Sequence, residues 1–428
     1  MNLVVSAIRK YTKISILIRI LVGMILGIAA GLIFGENVKV IEPLGTAFMK
    51  LLMMVVVPIV FTTTVVGASS IEPMRIGRIG VKGMLFYLFT TAIAVSLGVF
   101  GGNLFRPGKG LEITGKITGQ VATHIQHVSF SEFVLRIIPQ NPMKALANGD
   151  ILPILFFSFL IGIGLSIFKE KAADHKREHA RAVYNFCCGF AEILFLIVRW
   201  IIEYAPIGIF ALMANLVASS GFSGLREMLL MLSVAVGCYF VQVLVVYCGL
   251  LRWFKLSPLI FFKGIREAML TAFTTRSSLA TLPVSMRNAE ENLGVHKDIY
   301  SFTLPVGASV NMDGTAIFYG VSLVFFGYAI GEPLTFAQQM TVILTGVLAS
   351  VGTAGVPGVG GVMLLMMLSA VGFKITQGTT AASVFALIIG AEAILDMFMT
   401  TVNVTGDLAV TSIVAKSEGD IDLKRWQK

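Results

Sequence analysis

Near the C-terminus, Glu392, Asp396, Thr400, Asn403 and Asp407 follow one another at spacings of 4, 4, 3 and 4 residues within an otherwise apolar stretch. On an α-helix those spacings draw one polar stripe. Carboxylates in a hydrophobic helix are expensive in a bilayer and face a solute pathway or an ion site. A second cluster, Asn311-Met312-Asp313-Gly314-Thr315, gathers an amide, a carboxylate and a hydroxyl where Gly314 lets a helix unwind. Hard cations take such oxygen ligands, and carbonyls near Gly307, Asn311 and Asn403 could complete the shell of a dehydrated Na⁺. A calcium loop is excluded, because the remaining acidic positions of an EF-hand are absent.

Other motifs carry less. The run SVGTAGVPGVGG (350–361) has no Gly-Lys-Ser/Thr ending and no βαβ setting, so it reads as a hairpin tip that can gate, not as a nucleotide loop. Intramembrane catalysis is disfavoured. His124, His127, His175, His179 and His296 all fall in expected loops, and Asp396 and Asp407 are separated by about 16 Å along a helix, too far for an aspartic dyad. The chain reads as a transporter and not an enzyme. Its four cysteines sit in apolar runs and read as packing residues.

The elements that position these groups follow from composition. Of 428 residues, 56% are hydrophobic and 13% charged, with a mean hydropathy of +0.85, about half the roughly 25% charge of soluble domains. That excludes an ordinary soluble enzyme and predicts an all-α membrane protein in the lipid bilayer. Apolar runs at 14–34, 41–68, 84–104, 151–168, 186–217 and 229–251 each approach or exceed the ~20 residues that cross a hydrocarbon layer. The first lacks a cleavage site and is expected to remain as a span; its Gly23, Gly27 and Gly31 predict close packing within the bundle. The net charge of +9 is explained by topology, not by nucleic acid. Lys and Arg cluster in alternate connections and in the tail from Lys416, which places both termini in the cytoplasm.

Beyond Arg266 the apolar blocks, near 258–290, 298–330, 335–372 and 376–415, are interrupted by TTRSSLATLP, NMDGTA, SVGTAGVPGVGG and NVTGD. Non-helical backbone at membrane depth is tolerated only where protein or a water-filled cavity satisfies it. Two spans plus two re-entrant hairpins, turning at Ser277-Ser278 and at 355–361, keep the tail on the cytoplasmic side; four plain spans would too. Broken elements around a central site favour the hairpins.

TRSSLATLP, NMDGTA, GTAGVPG and LDMFMTTVNVTGD, with YAPIGIFAL (204–212) and KALANGDILPILFF (144–157), resemble the signatures of the glutamate and neutral amino acid transporter family (dicarboxylate/amino acid:cation symporters), its prokaryotic sodium/aspartate symporters above all. The resemblance runs nearly end to end. It implies eight transmembrane helices, two opposed re-entrant helical hairpins and inverted repeats in a homotrimer of the plasma (inner) membrane. It further implies elevator transport, with a trimerisation scaffold (about 10–70 and 129–220) and a moving transport part (about 80–105 and 225–416).

The same resemblance carries over site residues. Gly307, Asn311, Asn403 and Asp407 would hold one Na⁺; Tyr87, Thr90, Thr91, Asn311 and Asp313 a second; and carbonyls of Ser309, Ser350, Val351 and Thr353 a third. Substrate would meet Arg276, Ser277, Ser278, Thr315, Val356, Gly360, Asp396, Met399, Thr400 and Asn403, with Asp396 on the α-amino group. The sequence departs from the pattern at Met399, where acidic-substrate members carry an arginine, and at Phe398, where close relatives carry glycine. A thioether cannot replace a bidentate guanidinium. This predicts neutral L-amino acids, with acidic amino acids or dicarboxylates as the alternative should Arg276 reach the pocket. A passive anion leak is the second class of activity.

Overall fold

A computed structural model describes residues 14, 16–69, 77–111, 138–149, 151–171, 174–220, 222–352, 359–373, 375 and 379–426. Among them there are helices and no strand, only an isolated bridge between Val295 and Ile421. In chain order the helices are α1 (Ile16–Phe34), α2 (Glu42–Ser69), α3 (Gly77–Phe105), α4 (Pro142–Asn148), α5 (Ile151–Lys171), α6 (Asp174–Ser220) and α7 (Phe222–Val241). A π-helical turn (Gln242–Tyr247) leads into α8 (Cys248–Trp253). The second half comprises α9 (Pro258–Thr275), α10 (Ser278–Arg287), α11 (Lys297–Val310), α12 (Asp313–Ala329), α13 (Phe336–Gly352), α14 (Val359–Ala370) and α15 (Thr380–Glu418).

Among the described residues, six stretches are long and apolar enough to cross a membrane: Ile18–Phe48, Arg78–Phe105, Arg177–Asn215, Ser223–Trp253, Lys297–Ala329 and Thr380–Glu418. Shorter apolar helices at Val57–Ser69, Phe156–Phe168, Phe336–Ser350 and Gly360–Ala370 accompany them. Large apolar side chains such as Ile33, Trp200 and Leu244 point outward from α1, α6 and the π-turn, as a lipid-facing surface requires. Within the span 297–329, residues 310–327 are instead buried without interruption, and the helix is broken at Asn311-Met312.

Glycines set the closest approaches. A Cβ on Gly23, Gly27 or Gly31 would lie 2.4, 2.5 or 2.6 Å from the backbone oxygens of Pro206, Phe210 and Ala214 on α6. The glycine stripe of the first span is therefore consumed within the chain. A Cβ on Gly98 of α3 would lie 2.4 Å from the Ile317 oxygen, and one on Gly320 2.7 Å from the Val95 oxygen. This seats α12 directly against α3, at the centre of the buried apolar core.

The first hairpin is formed by α9 and α10. Asn292 donates to the Gly264 oxygen at 2.7 Å, Ala268 N–H to Asn288 Oδ1 at 3.1 Å, and Arg287 pairs with Glu267. These nested contacts run the arms antiparallel from a tip at Arg276-Ser277. In the second, α13 and α14 are joined through residues 353–358, outside the described set, and Gln338 donates to the Val371 oxygen at 2.9 Å across its far end.

The charged stretch 169–181 departs from expectation. α6 begins at Asp174, so His175 and His179 lie on a helix, not in a loop. Lys, Arg, Glu and Ala are good helix formers, and the helix simply continues beyond its apolar part.

Candidate ion and substrate site

Asp313 opens α12 and is fully buried. Its Oδ1 accepts from Thr91 Oγ1 at 2.7 Å, and its Oδ2 from Tyr247 OH at 2.7 Å and Gln242 Nε2 at 3.2 Å. One helical position before Thr91, Thr90 Oγ1 donates to Asn311 Oδ1 at 3.2 Å, and Asn311 Nδ2 donates onward to Asp407 Oδ1 at 3.0 Å. A Cβ on Gly307 would stand 2.7 Å from Asp407 Oδ1 and 2.8 Å from the Tyr87 hydroxyl. Tyr87 in turn donates to the Thr303 oxygen at 2.9 Å. Seven residues expected at ions, Tyr87, Thr90, Thr91, Gly307, Asn311, Asp313 and Asp407, thus converge where broken α11/α12 meets α3 and α15.

Among the described residues, neither Asp313 nor Asp407 forms an ion pair. Leaving buried charges uncompensated costs several kcal/mol, and their neighbours are hydroxyls, amides and carbonyls, the donor set of a hard monovalent cation. Ser309 and Ser350 turn their hydroxyls onto Pro305 and Val347 oxygens at 3.4 and 2.7 Å. Val351 continues α13, and Thr353 lies outside the described residues.

Asn403 ties α15 to the α12 break: its Oδ1 accepts from Gly314 N–H at 2.7 Å, and its Nδ2 donates to Thr315 Oγ1 and Met312 Sδ, each at 3.3 Å. Gly314 permits this approach, because a Cβ there would meet the Met399 oxygen at 2.3 Å. Met399 itself is 2% exposed, and beside it Phe398 meets Phe273 of α9 edge-on at 5.4 Å. Thr400 Oγ1 donates to the Asp396 backbone oxygen at 2.9 Å.

Arg276, Glu392, Asp396 and Gly361 form the polar wall of a cavity of about 60 Å³, faced by apolar residues including Ile20 of α1, Phe48 of α2 and Ile209 of α6. Arg276 caps α9 in the left-handed conformation, φ 54°. Ser277 then caps α10, accepting from Ala280 N–H at 3.2 Å. Ser278 is 3% exposed, and its hydroxyl has no hydrogen-bond partner among the described residues. Glu392 Oε1 accepts from Gly361 N–H at 2.9 Å, and a Cβ on Gly360 would come within 2.5 Å of that oxygen. Val356 lies outside the described residues.

Glu392 belongs to the polar stripe legible in the sequence, but its grip on α14 needs the fold. Two further participants carry no such signal. Gln242 and Tyr247 are five residues apart, a spacing that scatters side chains on an α-helix and carries no one-face signal.

Residues 16–417 match the Sodium:dicarboxylate symporter family. The chain belongs to that family. Sodium:dicarboxylate symporters are integral membrane transporters, which accounts for the six long apolar stretches and removes enzyme chemistry from consideration. The chain is 33% identical to a proton/sodium-glutamate symport protein of Geobacillus stearothermophilus, covering 97% of both chains. It is 32% identical to a C4-dicarboxylate transport protein of Bacillus subtilis (strain 168), covering 95% of this chain and 94% of that one. It is also 32% identical to a proton/glutamate-aspartate symporter of Escherichia coli (strain K12), over 97% and 96%.

Proposed function

We propose that this chain is a sodium-coupled secondary symporter of small carboxylates, with an acidic amino acid or C4-dicarboxylate as substrate. The observation that carries the ion half is the pair of buried carboxylates, Asp313 and Asp407, without a cationic partner among the described residues, Asp407 held by Asn311 and Asp313 by Thr91. Na⁺ entering there removes the charge penalty and organises Asn311 and Asn403. Asn403 also holds Gly314 and Thr315, so ion occupancy and the substrate pocket share a residue, which is how coupling arises. In the membrane, the two hairpins would be re-entrant, eight spans would surround them, and the polar half would move as an elevator against a scaffold of α1, α2, α5 and α6 in a homotrimer. Both termini would face the cytoplasm.

The names of the relatives, glutamate, aspartate and C4-dicarboxylate transporters, support the acidic substrate over the neutral one expected from sequence. On this chain the supporting feature is Arg276, whose guanidinium shares a cavity with Asp396. An ammonium group suits Asp396, while a substrate carboxylate suits Ser278 and the amino end of α10, where free N–H groups point outward. The second reading, a neutral amino acid, rests on buried Met399 standing where an arginine would grip a second carboxylate.

Uptake of labelled glutamate, aspartate, succinate, alanine and serine into proteoliposomes, with and without an inward Na⁺ gradient, separates these readings. Concentrative Na⁺-driven uptake of the acids supports the conclusion. Uptake confined to alanine and serine transfers it to the neutral reading, and flux that ignores the gradient overturns coupling.

A further inference from the structure

Helix α7 loses its regular register at Gln242–Tyr247, where the chain makes a π-turn and Cys248 N–H bonds back to the Val243 oxygen, five residues earlier. Single π-turns inside α-helices recur at functional sites. Residues five apart on an α-helix diverge by roughly 140°; the wider π-turn brings Gln242 and Tyr247 onto one face. Both then donate to the same atom, Asp313 Oδ2, at 3.2 and 2.7 Å. Gly406 of α15 makes room for this, since a Cβ there would meet the Tyr247 hydroxyl at 2.5 Å and Asn311 Nδ2 at 2.8 Å.

With Oδ2 occupied by two donors, Oδ1 turns to the α3 side, where it accepts from the Thr91 hydroxyl. Gln242 also donates to the Thr90 oxygen at 3.4 Å. Its own carbonyl oxygen, Oε1, has no hydrogen-bond partner among the described residues, although Gln242 is completely buried. A buried amide oxygen left unpaired is costly, and such an orphan calls for a ligand. The amide nitrogen of Gln242 reaches both Thr90 O and Asp313 Oδ2, which places the Gln242 amide beside the oxygen-rich cluster of Thr90, Thr91, Asn311 and Asp313.

We infer that the π-turn belongs to the ion machinery: Gln242 Oε1 is a neutral ligand of the monovalent cation drawn in by Asp313, and Tyr247 is a positioning residue that fixes the carboxylate's far oxygen. This rests on the proposed Na⁺ coupling and adds a ligand and a tether from α7.

The test is equilibrium binding of radiolabelled Na⁺, with Li⁺ as competitor, to the purified full-length protein in lipid nanodiscs. Gln242→Leu should weaken Na⁺ by roughly tenfold or more, equivalent to about 1.4 kcal/mol, and should change the Na⁺/Li⁺ preference because it deletes an oxygen from the shell. Tyr247→Phe should weaken Na⁺ while keeping that preference. The preference is a ratio and does not depend on the fraction of protein that folds; Gln242→Met serves as a second variant of similar size. Asp407→Asn controls for the underlying function. If Asp407→Asn weakens Na⁺ while both Gln242 variants keep wild-type affinity and preference, the inference falls and the symporter reading stands. If wild-type protein binds no Na⁺, both fall.

Discussion

Asn311 Nδ2 donates to Asp407 Oδ1 at 3.0 Å, joining the break between α11 and α12 to the last helix, 96 residues further along the chain. Neighbouring hydroxyls of α3 serve the two carboxylate ends of this cluster, since Thr90 donates to Asn311 Oδ1 and Thr91 to Asp313 Oδ1.

Asp407→Asn removes one negative charge while keeping the shape of the side chain. Losing an interaction with a charged group is worth about 1.5–3 kcal/mol, so the Na⁺ concentration for half-maximal uptake should rise about ten- to a hundredfold. An unaltered Na⁺ titration of uptake in proteoliposomes would falsify the assignment of Asp407.

Arg276→Ser and Met399→Arg probe substrate charge from opposite directions. The first should depress uptake of glutamate and aspartate by at least tenfold and leave any alanine uptake in place. The second supplies a bidentate guanidinium and should tighten aspartate competition. If Arg276→Ser transports acids normally, Arg276 has no part in recognising them.

Gly98→Ala forces a methyl group to within 2.4 Å of the Ile317 oxygen. Overpacking of this kind costs about 1–3 kcal/mol, so the unfolding midpoint in detergent should drop by several degrees. Gly189→Ala on α6 is the control: nothing lies within 4 Å of its added carbon, and the midpoint should not fall. Equal behaviour of the two variants would refute a backbone-contact role for Gly98.

Glu392 fastens the start of α14 by accepting from Gly361 N–H. Glu392→Ala should accelerate amide exchange across 359–364 by about tenfold, and Glu392→Gln, which keeps an acceptor oxygen, should remain near wild type. Hydrogen exchange read by mass spectrometry decides it, and slow exchange in the alanine variant would mean that the hairpin is held by other contacts.

Much of this was legible along the chain because membrane-spanning helices announce themselves by composition. The apolar runs, the interruptions after Arg266 and the one-sided spacing of Asp396, Asn403 and Asp407 are local properties, set by the hydrocarbon solvent and by helical periodicity. The motifs also named most of the residues that converge around Asp313 and Asp407. What remained hidden depends on contacts between distant segments. No local rule says that Gly23, Gly27 and Gly31 meet α6 or that Glu392 grips Gly361.

Gln242 and Tyr247 mark the limit most clearly. Their spacing of five belongs to no regular face, and only the π-turn, packed against α3 and α15, aims both at Asp313. The sequence by itself determined the solvent, the helical class and the oxygen-rich residues able to bind a cation, because each follows from side-chain chemistry and short-range period. Only the tertiary structure decided which of those oxygens face one another, because a buried carboxylate is positioned by whichever distant donors the packed helices bring within hydrogen-bond reach.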